Sequence, residues 1–124
     1  MALISFEQIR QLLESEDFEL QPTQRKLCLP ILQRIYHKMN VGVEFDSINI
    51  AGDLLINGHY RYVCSLLLKK TLQRDIWSRP SQVHTYKWPQ IQIDLDDWES
   101  VEIIERHNRK DAAISRLDIK ILEI

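Results

Sequence analysis

The segment from residue 45 to residue 74 carries the pattern that most constrains how this chain can fold. Two short apolar runs, residues 48–50 and 54–56, are separated by Gly52-Asp53, a pair typical of a tight turn between strands. Asn57-Gly58 ends the second run, and after Tyr60 apolar residues recur at helical spacing: Val63, Cys64, Leu66, Leu67 and Leu68. The sequence therefore predicts a strand, a turn, a second strand, a glycine and an immediate helix, whose C-terminus suits the cations Lys69, Lys70 and Arg74.

Three further helices are predicted around this unit. Ser5 and Gln8 form a capping box for the first helix. A second helix has Pro30 in its first turn, ends near Asn40, and carries apolar residues at helical spacing: Ile31, Leu32, Ile35, Tyr36 and Met39. A late helix over residues 98–113 is expected to follow an acidic cap (Asp94, Asp96 and Asp97) and to face inward with Val101, Ile104 and Asn108.

Two segments alternate in polarity as strands do. Residues 83–88 predict an exposed or edge strand, which Ile91 and Ile93 could continue. The tail, residues 117–122, favours a strand over a helix, although Ala113, Leu117 and Ile121 also fit one helical face. These elements together predict a small mixed sheet with flanking helices, an α/β (α+β) fold, in one domain covering residues 1–124.

The composition excludes some functions. A net charge of -2 argues against coating nucleic acid by bulk electrostatics. We expect no membrane association, because no apolar run approaches the roughly 20 residues of a spanning helix, and no signal peptide. Cys28 and Cys64 are isolated in apolar surroundings and predict reduced core thiols, hence a cytoplasmic location.

The junction between the second strand and its helix is a candidate phosphate site. Gly58 allows a sharp turn and a close approach of the backbone to a ligand. The first N–H groups of a helix have no intrahelical partner, and the helix dipole adds partial positive charge there. Arg61, one turn into the helix, can donate several hydrogen bonds to phosphate oxygens, and His59 and Tyr60 extend the polar reach. A packing turn with a surface arginine would show the same pattern.

Residues 53–65 resemble the central motif of ParB-like proteins and of sulfiredoxins. Partition ParB proteins have Gly-Glu-Arg-Arg-Trp-Arg-Ala-Ala in this motif, and sulfiredoxins have Gly-Cys-His-Arg. Gly58 and Arg61 match the two positions common to both versions, and Tyr62 matches the aromatic residue that follows. Cys64 and the next residue stand where small residues pack. The chain is similar to this superfamily over roughly residues 22–112.

Two flanking segments occur in the same order as in the superfamily. Residues 24–25 resemble a Gln-Pro-Arg box that lacks its proline. Residues 105–111 resemble the Glu-Asn-x-x-Arg-x-Asp box of ParB, with Arg106 in place of the asparagine and three positions kept: Glu105, Arg109 and Asp111.

The resemblance implies nucleotide binding, with ATP or CTP and Mg2+ as the cofactors. It implies that Gly58 and Arg61 hold the phosphates, that Arg109 is a second phosphate contact and that Glu105 is a metal or phosphate-orienting ligand. Either His59 or Glu105 would then orient an attacking water for hydrolysis, as in an NTPase or a nuclease acting on DNA. Sulfiredoxin chemistry is not expected, because His59 stands at the position of the catalytic cysteine.

Other interpretations of the sequence remain open at this point. The three aspartates between residues 94 and 97 suit a divalent ion, although a solvated helix start explains them better. Trp77, Tyr86 and Trp88 could form a stacking surface for a base, or could cover the open edge of the sheet. By family analogy alone, a stand-alone nucleotide-binding or hydrolysing domain could serve as an effector or toxin of a mobile element. The main alternative function is a non-catalytic protein- or DNA-interaction module that keeps the fold without turnover.

Overall fold

The computed structural model describes residues 3–15 and 18–124, which form an α+β fold. The helices of this part of the chain are α1 (Phe6–Leu13), α2 (Leu29–Asn40), α3 (His59–Leu68), α4 (Val101–Ser115) and α5 (Ile119–Leu122). Its strands are β1 (Gln21–Pro22), β2 (Lys26–Cys28), β3 (Ile48–Ala51), β4 (Leu54–Asn57), β5 (Arg74–Ile76) and β6 (Gln92–Asp94). A short 3-10 helix covers Trp88–Gln90. None of these helices combines the length and the apolar composition that crossing a bilayer requires.

The strands form one mixed sheet and one small parallel sheet. The mixed sheet has the order β1-β4-β3-β5, in which β3 and β4 are the predicted antiparallel hairpin and both outer pairings are parallel. In the small sheet, β2 pairs with β6. Since β4 is flanked by β1 and β3, the glycine that follows it leads directly from the middle of the sheet into α3.

The main core lies where α1, α2 and α3 cover the mixed sheet. Its fully buried side chains come from each of these elements and include Ile9, Leu13, Leu32, Leu55 and Val63. Both cysteines are buried and free, as predicted, and burial raises the pKa of the Cys64 thiol. The Cys64 thiol therefore contributes packing rather than a reactive thiolate.

A second, smaller cluster attaches the C-terminal helices to α2. Val43, Ala112 and Leu122 form its buried apolar part. Two polar contacts flank it: Lys38 Nζ lies 2.8 Å from Asp111 Oδ2, and His37 Nε2 lies 2.6 Å from the carbonyl oxygen of Ile121. These contacts attach α5 and the later part of α4 to the last turn of α2.

Several predicted elements are confirmed and several are corrected. The Ser5–Gln8 capping box is present, the hairpin turns at Gly52, and α3 starts immediately after Gly58. The predicted strand at residues 83–88 is wrong, because that segment is a loop entering the 3-10 helix. The predicted tail strand is also wrong, since Asp118 caps a helical turn that buries Leu122.

The start of α4 also differs from the prediction. Ser100, rather than the acidic run, is its N-cap, and the hydroxyl accepts a hydrogen bond from the amide of Ile103 at 3.3 Å. Asn108 faces inward as expected, but Val101 is 67% exposed. Val101, in the first turn of α4, thus lies outside the core. The buried residues of α4, Asn108 and Ala112, are in its later turns.

We predict that Gly58→Ala destabilises the fold more than Gly42→Ala. Both glycines have positive φ, +98° and +105°, so alanine costs backbone strain of about 1–3 kcal/mol at either position. At Gly58 a Cβ would also lie 2.6 Å from Ile48 Cγ2, whereas nothing lies within 4 Å at Gly42. Overpacking should add about 1–3 kcal/mol at Gly58 alone. Urea unfolding followed by circular dichroism measures both losses, and equal losses would contradict the close contact.

Candidate functional site

The N-terminus of α3 is built around Gly58 and Arg61. Gly58 is the N-cap, with φ +98° and ψ 30°, and its missing side chain leaves room for the arginine. A Cβ at Gly58 would lie 2.8 Å from Nη2 and 3.1 Å from Nε of Arg61, so the guanidinium lies directly over the glycine. Its Nη1 donates to the carbonyl oxygen of Asp46 at 3.2 Å. The guanidinium and the first amides of α3 are thus gathered at one place.

Arg61 forms no ion pair in the part of the chain that the structure describes. The ion pairs of residues 3–15 and 18–124 involve other cations, namely Arg34, Lys38, Arg74 and His107. The positive charge of Arg61 is therefore available to a ligand, apart from its one bond to a neutral carbonyl group.

The other polar side chains at the start of α3 turn inward and hold the preceding segment of backbone. The N–H of Thr23 donates to His59 Nε2 at 3.0 Å, that of Cys28 to the Tyr60 hydroxyl at 2.9 Å, and that of Leu20 to the Tyr62 hydroxyl at 3.2 Å. These three hydrogen bonds hold residues 20–28 against α3. They give the three side chains a structural role that the sequence did not predict.

This arrangement decides what His59 can do. Its ring is 4% exposed, and burial lowers its pKa to about 4, so the ring is neutral at pH 7. The lone pair of Nε2 already accepts the Thr23 amide. A general base needs a free lone pair beside the reacting water. The geometry thus favours a structural role for His59 over the catalytic role that the resemblance implies.

A cleft of about 390 Å3 opens beside the start of α3. The apolar part of its lining, called the apolar wall, is formed by Ile31, Ile35 and Phe45. The polar part of the lining, called the polar wall, contains Tyr60 and Arg61 together with the side chains of Gln24, Arg34, Glu99 and His107. Burial raises the pKa of Tyr60 to about 12, so its hydroxyl remains protonated. The cleft therefore combines an apolar surface with hydrogen-bond donors and one unpaired guanidinium.

A chain of charged contacts runs along the polar wall. Arg34 is held by two bonds to Asp97, at 2.7 and 2.8 Å, and its Nη2 also donates to Glu99 Oε1 at 2.7 Å. The other oxygen of Glu99 lies 3.1 Å from Nδ1 of His107. The guanidinium of Arg34 holds the pKa of the Asp97 carboxyl below its usual value. Arg34, unlike Arg61, is therefore already neutralised by carboxylates.

Only part of the predicted site comes together. Gly58, His59, Tyr60 and Arg61 all line the cleft, whereas Glu105 and Arg109 are exposed on α4 and are absent from its lining. Both residues lie two positions from His107, which does line the cleft. At 100° per residue they project about 160° away from it. The geometry does not support Glu105 as a metal ligand or Arg109 as a phosphate contact.

The alternative interpretations are also decided in part. Trp88 is 2% exposed and stacks on Phe18 at 4.6 Å, so it belongs to the core rather than to a base-stacking surface. Of the aspartates, Asp94 accepts hydrogen bonds from the Asp96 amide and the Trp98 indole, while Asp97 binds Arg34. Within residues 3–15 and 18–124, no three side chains of His, Cys, Asp or Glu converge as metal ligands.

Comparison with known proteins gives no relative for this site. The chain matches no protein-family model, no curated protein and no solved structure.

We predict that the burial of His59 makes folding sensitive to acid. The pKa of the folded state, about 4, lies below the ordinary 6.5, so between these values the unfolded chain binds a proton that the folded chain does not. The contribution of neutral His59 to the free energy of unfolding is complete above pH 6.5 and is lost as the pH falls towards 4. Between pH 7 and 4.5, the wild type should lose roughly 2 kcal/mol more unfolding free energy than His59→Gln.

Glutamine is the matched variant for this experiment, because its amide oxygen can accept the Thr23 N–H but does not titrate in this range. Urea unfolding at the two pH values gives the difference directly, and the contributions of the carboxylates cancel between the proteins. Identical losses in the two proteins would show that His59 is not buried in its neutral form.

Proposed function

We propose that this chain binds a phosphate-bearing ligand of nucleotide type, with the phosphate at the start of α3 and the base on the apolar wall of the cleft. The observation that supports this proposal is the guanidinium of Arg61, which lies over Gly58 without a carboxylate partner among the described residues. A cation left without a carboxylate partner at a helix N-terminus is suited to an anion.

The phosphate end of the proposed site uses two kinds of donor. The amides of the first turn of α3 point out of the helix, and the guanidinium of Arg61 offers a planar set of N–H groups beside them. The space beside Gly58 is occupied by the Arg61 guanidinium and by Ile48, so the guanidinium, rather than the glycine backbone, would meet the phosphate oxygens first. The bond from Nη1 to the Asp46 carbonyl orients the guanidinium and still leaves other N–H groups free.

The base end uses the apolar wall. Ile31, Ile35 and Phe45 present a surface on which a planar base could lie, and Gln24 can donate or accept at its edge. The volume, about 390 Å3, falls within the range of small-molecule sites. A site with an apolar surface, a few polar groups and one charged group is the usual form of such a pocket.

ATP or CTP with Mg2+ are the ligands that the resemblance to ParB and sulfiredoxin proteins favours. Among the described residues that line the cleft, Glu99 is the one carboxylate, and it is paired with Arg34 and His107. A Mg2+ ion would therefore be carried chiefly by the phosphates of the nucleotide, a common arrangement for this ion. The proposed reaction class, if the ligand is turned over, is hydrolysis of a phosphate bond.

We predict that Arg61→Ala weakens nucleotide binding while Arg109→Ala leaves it unchanged. Loss of a charged hydrogen bond should reduce affinity roughly 10- to 100-fold, the equivalent of about 1.5–3 kcal/mol. Calorimetric titration of ATP and CTP with Mg2+ measures the change, and the melting temperature should remain within a few degrees because Arg61 makes one peripheral bond.

Arg109→Ala, the control variant, distinguishes a site defined by the cleft geometry from one defined by the superfamily pattern. Arg109 is exposed on α4, outside the cleft, although the superfamily pattern assigns it to the phosphates. Weaker binding in Arg109→Ala would favour the pattern over the geometry. A wild-type chain that binds neither nucleotide would refute the proposal.

A second candidate is a non-catalytic interaction module that uses the free edge of β5. This strand ends the mixed sheet, and Ile76 is 85% exposed and Trp77 48% exposed at its end. An exposed edge strand with apolar residues at its end is a template for pairing with another strand, most simply that of a second copy.

For this candidate we predict concentration-dependent self-association that Ile76→Lys abolishes. Sedimentation velocity of the wild type should show a dimer, and a charge on the strand edge should yield monomers. Ile114→Lys is the matched control, because Ile114 is 63% exposed on α4 and away from the sheet. A monomeric wild type at all concentrations would rule out a homodimer at this edge.

A further inference from the structure

We propose that Glu99 and His107 form a water-activating pair in the cleft, so that a nucleotide bound there is hydrolysed at a phosphate bond. The inference rests on the proposed function, and it assigns the chemistry to residues other than His59 and Glu105. The two side chains lie on the same polar wall as Arg61, and Nδ1 of His107 is 3.1 Å from Oε2 of Glu99.

The contact with Glu99 places Nδ1 of His107 beside the carboxylate and leaves Nε2 on the other side of the ring. Among the described residues this contact is a charge contact, and neither ring nitrogen of His107 makes a hydrogen bond, so Nε2 can act as the base when the ring carries its hydrogen on Nδ1. The side chain is 52% exposed, so water can reach this nitrogen. His59 is the opposite case, because its lone pair is buried and used.

Glu99 is a positioning residue that is itself held firmly. Its Oε1 accepts a hydrogen bond from Nη2 of Arg34 at 2.7 Å, and its backbone N–H donates to Asp97 Oδ1 at 3.0 Å. Arg34 is held in turn by both oxygens of Asp97, and its side chain is 13% exposed. The carboxylate of Glu99 therefore cannot rotate away from the histidine without losing its bond to the half-buried guanidinium of Arg34.

Arg34 has more carboxylate partners than it needs to neutralise its charge. Asp97 already gives the guanidinium a bidentate partner, and one carboxylate is enough to neutralise one cation. The second carboxylate, Glu99, is shared between that cation and the imidazole. An imidazole that is oriented by a carboxylate and has its second nitrogen free is the arrangement required of a general base.

The reaction can be written with all atoms conserved. Nε2 of His107 takes a proton from water as the oxygen attacks phosphorus, and an O–P bond forms. The P–O bond to the leaving group breaks, its electron pair stays on the leaving oxygen, and the proton returns from the imidazolium to the products. Arg61 and the amides of α3 stabilise the charge on the phosphoryl oxygens. Mg2+ carried by the nucleotide would neutralise further charge.

The test measures binding and turnover separately, with ATP and CTP plus Mg2+ as substrates. Phosphate release should fall at least 100-fold in His107→Ala, in line with the usual contribution of a general base, while calorimetric affinity changes less than twofold. Added imidazole should restore turnover in His107→Ala, which loss of a structural histidine would not allow. His84→Ala, at an exposed loop residue outside the cleft, is the control and should behave as the wild type.

Glu99→Gln should lower kcat roughly tenfold, with KM and melting temperature unchanged, because the amide oxygen can keep the bond from Arg34 while a neutral NH2 group replaces the carboxylate oxygen beside Nδ1 of His107. Nucleotide binding without hydrolysis by the wild type, or hydrolysis that survives His107→Ala, would overturn the catalytic pair and leave the proposed binding function in place. If the wild type binds neither nucleotide, the proposed function itself fails and the inference fails with it.

Discussion

The fold depends on three hydrogen bonds that α3 accepts from the backbone of residues 20–28. This segment joins α1 to α2 through β1 and β2, which have two and three residues, too few for long ladders of backbone hydrogen bonds. His59, Tyr60 and Tyr62 supply the missing acceptors. A buried amide without a partner costs about 1–3 kcal/mol. The side chains of the first turns of α3 thus satisfy backbone amides that a longer strand would satisfy by pairing with its neighbour.

These inward contacts determine which residues are left to form a site. Three of the first four side chains of α3 hold the neighbouring segment, and although His59 and Tyr60 also line the cleft, Arg61 is the one of the four that makes no bond to that segment. The absent side chain of Gly58 lets the guanidinium lie back over the helix start, and the hairpin strand β3 limits that space through Ile48. The same constraint therefore fixes the fold at this corner and presents the one cation that supports the nucleotide proposal.

The sequence predicts the local elements well and the tertiary contacts poorly. The hairpin, Gly58 and the start of α3 follow from turn residues and apolar spacing within about 20 residues. Strand β5 gives no such signal, because its three residues are all exposed and it is recruited by pairing with β3. The tail fits a strand pattern, but Leu122 is buried against Val43 and Ala112, and no local pattern in the tail shows that contact.

The candidate site shows the same division. Gly58 and Arg61 are three residues apart and can be found from the sequence alone. Arg34 and Glu99 are separated by 65 positions, and nothing local connects them before α2 and the start of α4 meet. The resemblance directs attention to Glu105 and Arg109, but the phase of α4 turns His107 between them towards the cleft. Helical phase is set by packing and cannot be obtained from a motif.

The distribution of charge gives the two sides of the cleft different tasks. Asp97, Arg34 and Glu99 sum to one negative charge, and that charge lies against the ring of His107. Arg61 carries a positive charge at the start of α3, next to amides that add to it. A phosphate is drawn to the second side, and an imidazole in contact with a carboxylate is held on the first. Glu99 is already bonded to Arg34, whereas Arg61 makes no ion pair among the described residues. In this view the half-buried Arg34 keeps the two parts of the cleft chemically distinct, although it is itself too well neutralised to bind an anion.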